Sequence, residues 1–598
     1  MNHLFPVPRE EHPGDPSARF AGSPRRIEDA SLPTQGYELH VDRDEAELRH
    51  ADAAGLRYGL DAVAQLRSPD GTLPAVTVRD HPDIAVRGFM LDTSRDRVPT
   101  RDTLERLVSI LATARYNHLQ LYVEHTFAYR DHADVWRDAS PITADDLRWL
   151  DGLCAANGIE LAANQNCFGH MGRWLALDRY RSMADSPDGV QVMDGLTFPP
   201  SVLAPTEENA RFVLDLVREQ SAALRSRTVN VGCDETFELG RGASSARAAE
   251  VGVDGVYVEH LRRIVGPLLE EGRSVQFWGD VIAHHPERLA ELRAWTTAAG
   301  DPTAGDLTAL VWNYDAPDVA TPTLPAGIVT ILADLGIDLE TPTDFDTRLR
   351  PFADAGIPFW VAPGTSTWNS IVGRWGNARA NLLDAARAGR DRGATGYLVT
   401  DWGDNGHHQP PSVSDLPVLY GGAVSWCAET NADIDIAAVA DRLVYDDPTG
   451  SVGAALEAIG SVAHGTGRIG RNTSPLFASL FPHQMHLVGG KADPSMVAEV
   501  IETLERARSA LADADPRAAD ASTVVEELDV AIGLARHAAV RMGSTVGLGD
   551  PGPAATRADL SSLVKRYRAA WLLRSRPGGL SDSADHLERT LSDYPATG

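Results

Sequence analysis

From Ile84 to about Cys427, short apolar runs alternate with helical patterns, and this rhythm limits the fold of the 598-residue chain more than any other property. Eight runs read as strands: Val86–Asp92, His118–Glu124, Glu160–Asn166, Thr228–Cys233, Ser274–Asp280, Leu307–Tyr314, Pro358–Pro363 and Gly396–Asp401. Helical patterns such as Arg101–Ala114 and Glu207–Leu224 lie between most of them. Eight βα units in succession predict an α/β fold, a closed (β/α)8 TIM barrel with insertions over residues 84–430. The flanks read differently. Residues 1–83 hold a Pro-rich lead, an alternating run at Gly36–Asp42, a strand-like start and amphipathic helix over Ala46–Leu66, and a short strand at Pro74–Arg79 that His81-Pro82 breaks. They predict a small N-terminal α+β domain. Residues 431–598 are rich in Ala, Leu, Arg and Asp, and predict a C-terminal α-helical domain with helices at Ile436–Tyr445, Pro494–Ala512, Thr523–Arg541 and Ser561–Leu573. No catalytic constellation stands out in it.

Composition excludes several functions. Hydrophobic residues make up 43% and charged residues 23%, which suits a packed globular protein. A net charge of −29 repels phosphate backbones and argues against nucleic acid as a partner. No window approaches the roughly 18 apolar residues of a membrane span. The N-terminal stretch MNHLFPVPREEHPGD lacks a basic-then-apolar run. Cys154, Cys167, Cys233 and Cys427 are scattered, with neither CxxC nor zinc spacing. Free thiols in a reducing cytoplasm are the expectation, without a metal or cofactor.

Active sites of such barrels form at the C-terminal ends of the strands. There the chain collects Asp92, Glu124-His125, His170, Asp234-Glu235, Trp278 and Asp280, Trp312 and Tyr314, Trp368, and Trp402 with Asp404. Tryptophan faces stack on the C–H bonds of a sugar ring and carboxylates bind its hydroxyls. The sharpest signal is TVNVGCDET, Thr228–Thr236, a strand that delivers two adjacent acids at its tip. Such acids could simply open a helix. Most glycosidases place two carboxyls roughly 5–10 Å apart across the anomeric carbon. Consecutive residues do not easily flank a sugar. Either another acid completes the pair, or the substrate brings its own nucleophile, as the carbonyl oxygen of a 2-acetamido sugar can.

Taken together, RGFMLDTSR (Arg87–Arg95), GCDE (Gly232–Glu235) and TDWGD (Thr400–Asp404) resemble glycoside hydrolase family 20, the β-N-acetylhexosaminidases. The GLRYGLDAVAQL segment followed by HPDIAVRG resembles that family's N-terminal domain, and the resemblance runs over roughly residues 30–430. EHTFAY and VGCDE are similar to the hexosaminidase D-like branch, which is intracellular. The resemblance implies exo-cleavage of terminal non-reducing β-linked GlcNAc or GalNAc, with retention, through a cyclic oxazolinium. Glu235 matches the general acid/base, expected to start protonated through burial and its acidic neighbour. Asp234 matches the carboxylate that orients the acetamide. Arg87 matches the arginine that binds the outer hydroxyls. Trp402 and Asp404 match the tryptophan and acid of the last strand, with Asp where Glu is more usual. Trp278 and Trp312 would enclose the acetamide methyl, and Tyr314 would hydrogen-bond the acetamide oxygen. His170, in CFGHM, would support the acid, although the proline of the family's PGH motif is missing. Glu124 and Trp368 complete the predicted contacts.

Plainer explanations stand beside these. Arg87 and Asp92 could form an ion pair at the barrel base, Trp278 and Trp312 could be ordinary core, Asp404 could cap the following segment, and Glu124 could pair with His125. The pairs His284-His285 and His407-His408 lack flanking carboxylates at metal-ligand spacing. Cys233 suits a small buried filler. Two rival functions are a metal-dependent sugar-processing barrel enzyme and a sugar-binding barrel without turnover; the presence of Glu235 weighs against the second. The expected partner is a glycan ending in a 2-acetamido-2-deoxy-β-hexose, and a homodimer is compatible with the chain.

Overall fold

The computed structural model describes residues 4–193, 196–298, 306–334, 341–549 and 551–594. Eight parallel strands close into a barrel: β1 Val86–Asp92, β2 His118–Tyr122, β3 Glu160–Asn164, β4 Thr228–Asn230, β5 Ser274–Trp278, β6 Leu307–Trp312, β7 Phe359–Ala362 and β8 Gly396–Asp401. Closure falls between β8 and β1, in register from Gly396 beside Val86 to Asp401 beside Leu91. All eight lie within the runs read from the sequence. Strand β4 stops at Asn230 rather than Cys233, because Gly232, Cys233 and Glu235 have φ of 67°, 70° and 48°. A parallel strand needs φ near about −120°, so the backbone leaves the sheet just before the acids.

The helices between the strands begin where local chemistry starts them. Thr100 caps Arg101–Thr113 by accepting from the Thr103 N–H, and Thr206 caps Glu207–Ser221 by accepting from the Asn209 N–H. Thr143 and Asp146 form a reciprocal capping box on Ala144–Ala156.

The barrel interior has two layers. Below lies a network of amides: Gln120 donates to Gln276 across the barrel at 2.7 Å, and accepts from Asn164 at 2.9 Å and from Asn230 at 3.0 Å. Val229 and Val231 point outward into the core shared with the helices. Toward the strand C-termini the amides give way to an aromatic cluster that includes Tyr122, Trp278, Tyr314, Trp368 and Trp402. That cluster floors the site.

At the N-terminal side, a five-stranded sheet runs in the order Glu10–Pro13, Val76–Asp80, Tyr37–Val41, Ala46–His50, Arg25–Glu28, with helix Ala53–Leu66 against it. Its apolar core includes Trp426 from the last barrel helix, Asp415–Trp426. The C-terminal helices include Pro494–Ala512, Ala521–Thr545, Pro553–Arg574 and Leu580–Leu591. They share one continuous apolar core with the outer layer of the barrel. The last of them lies beyond the helices expected from the sequence. The expected helix at Ile436–Tyr445 is an α-turn, Ile436–Ala440, that continues as a π-helical turn, Asp441–Tyr445.

Candidate active site

Asp234 and Glu235 leave the tip of β4 in opposite surroundings. The Asp234 side chain is 9% exposed and accepts from Asn166 Nδ2 at 2.9 Å, whereas the Glu235 side chain is 37% exposed. The burial expected of Glu235 therefore falls on Asp234. His170 joins them, its Nε2 lying 3.3 Å from a carboxylate oxygen of each. Glu235 and His170 both have left-handed backbones, φ 48° and 54°, which turn the two side chains toward one another. Burial alone would make His170 a weaker base, but Asp234 outweighs it and raises the imidazole well above its ordinary value. Burial likewise pushes Asp234 up, yet His170 and the Asn166 hydrogen bond hold it below the usual carboxylate range. The site thus holds an imidazolium between the buried Asp234 carboxylate and the half-exposed Glu235 side chain.

Glycine is required at 232. Its φ is 67°, and a Cβ there would come within 2.6 Å of the Asn166 side chain, the group that orients Asp234.

Arg95 supplies a guanidinium that sequence reasoning did not single out. It follows β1, lies 3.1 Å from Asp92 and 3.3 Å from Glu124, and stacks over the rings of Tyr122 and Trp402 at 4.9 and 5.0 Å. Its Nη2 is 3.4 Å from His170 Nδ1. Glu124 accepts from the Tyr122 hydroxyl at 2.9 Å and lies 3.9 Å from His170. Burial raises the Glu124 carboxyl, with Arg95 opposing. Glu124 is therefore part of the site, while the buried Nδ1 of its neighbour His125 has no partner among the described residues.

Arg87 is elsewhere. It stands at the start of β1, fully buried beneath the barrel, and donates to the carbonyls of Ile84, Ala85 and Arg115, to Gln35 Oε1 and to the Tyr58 hydroxyl. It also lies over Trp426 at 4.9 Å. β1 is seven residues long and Arg87 is its second residue, so the arginine assigned to the sugar sits at the wrong end. Nor does it pair with Asp92. Asp92 bonds Arg95 and accepts from the Gly403 N–H at 3.0 Å, tying the loop after β1 to the loop after β8. Arg87→Ala is expected to lower stability by about 3 kcal/mol, since it strips several buried acceptors of a charged donor. Arg95→Lys should melt near the wild type but lower kcat/KM about 10–100-fold, because an ammonium cannot reproduce the planar fork. Thermal melting and steady-state kinetics on both variants check this pair; a reversed pattern would contradict the placement.

The predicted aromatics lie together, with Trp278 fully buried and Trp312 partly buried against the same cluster. Trp278 ends β5 and lies 5.9 Å from Trp402, ring to ring. Trp312 stacks on Tyr314 with centroids 5.1 Å apart and planes 13° from parallel. Trp368 is a correction: it is fully buried, packs edge-on behind Tyr314 at 5.0 Å, and donates to Asn472 of the C-terminal region at 2.9 Å. It braces the wall rather than facing the pocket. Asp404 follows β8 beside Arg95. Burial raises its carboxyl to about 6, with Arg95 opposing and Asp92 and Glu235 adding to the rise. Asp404 caps no helix among the described elements.

Asp280, just past β5, receives the Glu235 N–H at 3.4 Å, and its buried Oδ1 has no partner among the described residues. Burial, then Asp234 and Glu235, push it up to about 7. A carboxyl raised on folding costs stability as pH climbs from its unfolded value, near 4, through about 7. Asp280→Asn removes that cost. It should stabilise the protein more at pH 8 than at pH 5, by up to roughly 3 kcal/mol at about 1.4 kcal/mol per unit. Equal shifts in melting temperature at both values would disprove the linkage.

His285 lies 3.6 Å from both Asp254 and Glu287, and these are the one set of three potential metal ligands within 4.8 Å among the described residues. Carboxylates do flank it in space. Arg288, 2.7 Å from Asp254, already balances that carboxylate. His407 and His408 are buried, and burial lowers both. Cys233 is fully buried and its thiol is pushed up by burial, as suits a filler.

A closed parallel barrel whose mouth joins acids, an imidazolium and a guanidinium to a wall of tryptophans defines a sugar-processing enzyme of the glycoside hydrolase class. Residues 3–81 match the family model described as glycosyl hydrolase family 20, domain 2, and residues 85–335 match the catalytic domain of the same family. Together they span more than half of the chain, which belongs to glycosyl hydrolase family 20. A β-N-acetylhexosaminidase of Cellulomonas fimi is 25% identical over 406 residues, 58% of this chain and 79% of that protein. Among solved structures, a Flavobacterium johnsoniae chitobiase shares the fold at a TM-score of 0.54 and 12% identity, over 98% of this chain and 99% of its own. An exo-β-N-acetylglucosaminidase of Vibrio harveyi gives 0.53 at 13% identity, over 74% of this chain and 77% of its own.

Proposed function

We infer that this protein is an exo-β-N-acetylhexosaminidase that removes terminal non-reducing β-linked 2-acetamido sugars with retention of configuration. The observation that carries the mechanism is the pair on one loop: a buried, ionised Asp234 and a half-exposed Glu235, both held by His170 at 3.3 Å. They approach a sugar from one side, so the nucleophile is the substrate's own acetamide. Glu235 gives its proton to the glycosidic oxygen as the bond from that oxygen to C1 breaks. The acetamide carbonyl oxygen bonds to C1, and the resulting oxazolinium carries its positive charge toward the N–H that Asp234 accepts. The carboxylate of Glu235 then takes a proton from water, whose oxygen attacks C1 and reopens the ring. Trp278, Trp312, Trp402 and Tyr314 exclude water from the acetamide, and Arg95 and Asp404 meet the outer hydroxyls.

The reading covers GlcNAc and GalNAc alike as terminal sugars and selects neither; Asp404, shorter than the Glu more usual in the family, would alter the preference at C4. The reading also places the enzyme in the cytoplasm, on the strength of four buried, unpaired cysteines; cell fractionation tests this. For the mechanism the test is substrate pairs. Aryl 2-acetamido-2-deoxy-β-glycosides should be hydrolysed, and the matching 2-hydroxy glycosides left intact. Comparable rates on both would eliminate attack by the acetamide.

A further inference from the structure

Two loops reach from the sugar pocket back to one short stretch of the C-terminal helices. The loop after β1 carries Arg95, and its next residues are gripped in turn. A Cβ on Gly579 would lie 1.8 Å from the Asp96 carbonyl oxygen, and Gly579 has φ 76°, so glycine alone allows that approach. The Arg97 guanidinium lies 4.2 Å from the centre of the Trp571 ring. The Arg576 N–H donates to the Val98 carbonyl at 2.8 Å, and the Thr100 N–H to the Arg574 carbonyl at 2.9 Å. Arg173 bridges Asp96 at 2.8 Å and Asp582 at 2.7 Å.

The loop after β8 carries Asp404 and is held by the same stretch. The buried Ser583 hydroxyl bonds the Gly406 carbonyl and the Tyr567 hydroxyl, and His408 Nε2 lies 3.1 Å from the Ser583 carbonyl. Arg97 donates to the Gln409 carbonyl, so the two loops are also joined to each other. Both loops lack regular structure where they bind the sugar. Their geometry depends on what lies behind them.

We propose that the Trp571–Ser583 stretch is a positioning element for substrate recognition, holding the loops of Arg95 and Asp404 in the arrangement that reads the sugar's outer hydroxyls. This rests on the reading above that Arg95 and Asp404 face those hydroxyls. Residues 571–583 act through these loops, so their effect is on binding and on discrimination at C4. Small displacements are amplified, since a misplacement of about 1 Å can cost about 10²-fold in rate.

The test uses the full-length protein with Gly579→Ala and Ser583→Ala, assayed on the 4-nitrophenyl β-glycosides of GlcNAc and GalNAc, with melting temperatures recorded alongside. In each folded variant kcat/KM should fall about tenfold, mainly through KM, and the preference between the C4 epimers should change about threefold or more. Unchanged kinetics, or equal losses on both epimers, would overturn the positioning role. Ser583→Ala deletes one oxygen and decides the matter alone if Gly579→Ala does not fold. A wild type that cleaves neither glycoside sinks the hydrolase reading first, and the positioning role with it.

Discussion

Glu235→Gln is expected to lower kcat on N-acetyl-β-glycosides about 10²–10⁴-fold, the usual scale for a positioned proton donor. The change is isosteric. It keeps the left-handed turn at 235 and an oxygen for His170 to bond, so melting should change little. What disappears is the proton for the glycosidic oxygen and, in the second step, the base for water. The loss therefore depends on the leaving group. A poor leaving group such as methanol needs the proton, while a dinitrophenolate departs with little help. Initial rates across a series of aryl and alkyl glycosides would display this slope. An equal loss across the series would remove Glu235 from the role of acid.

Asp234→Asn should lower kcat about 10²–10³-fold, the range seen when one preorganised electrostatic partner of a charged intermediate is lost. Asp234 is ionised inside an apolar wall, where its charge acts at low effective dielectric. An asparagine there keeps the shape and offers a neutral carbonyl to a cationic ring. The substitution has a second, independent signature. Asp234 is the principal upward influence on His170, opposing burial, so in the variant the imidazole should titrate at lower pH. NMR titration of His170 reads this directly. A His170 that titrates unchanged would mean that the short contact between the two groups carries no charge coupling.

How legible each part was follows from the length scale of its cause. The barrel strands could be located because each is a short apolar run bounded by its own turns. Helix Pro494–Ala512 could be placed to the residue, because Asp493 and Pro494 form a cap and a first turn in sequence. The acids Asp234 and Glu235 stood out by being adjacent. Arg87 and Arg95 belong to one motif, and a motif does not say which end of a strand opens onto the pocket; the C-terminal-end rule applied to β1 would have selected Arg95. Asn166 and Tyr122 were missed for a different reason. Asn166 acts on Asp234 across strands, and no local pattern marks an asparagine as a carboxylate's donor; Tyr122 bonds Glu124 only two residues on, but reads in sequence as one more apolar strand position. Trp368 was misplaced because a tryptophan looks the same in sequence whether it faces a ligand or braces a wall.

Alternation, caps and adjacent charges are properties of neighbours along the chain, and from them followed the eightfold βα order, the helical C-terminal region and the acidic pair, while the family resemblance rested on the motifs RGFMLDTSR, GCDE and TDWGD. Which acid is buried, which arginine meets the pocket, and how Ser583 comes to lie against Gly406 depended on contacts between residues far apart in sequence. Those were decided only when the barrel closed and the C-terminal helices packed on it, because burial and electrostatic coupling are set by distance in space rather than along the chain.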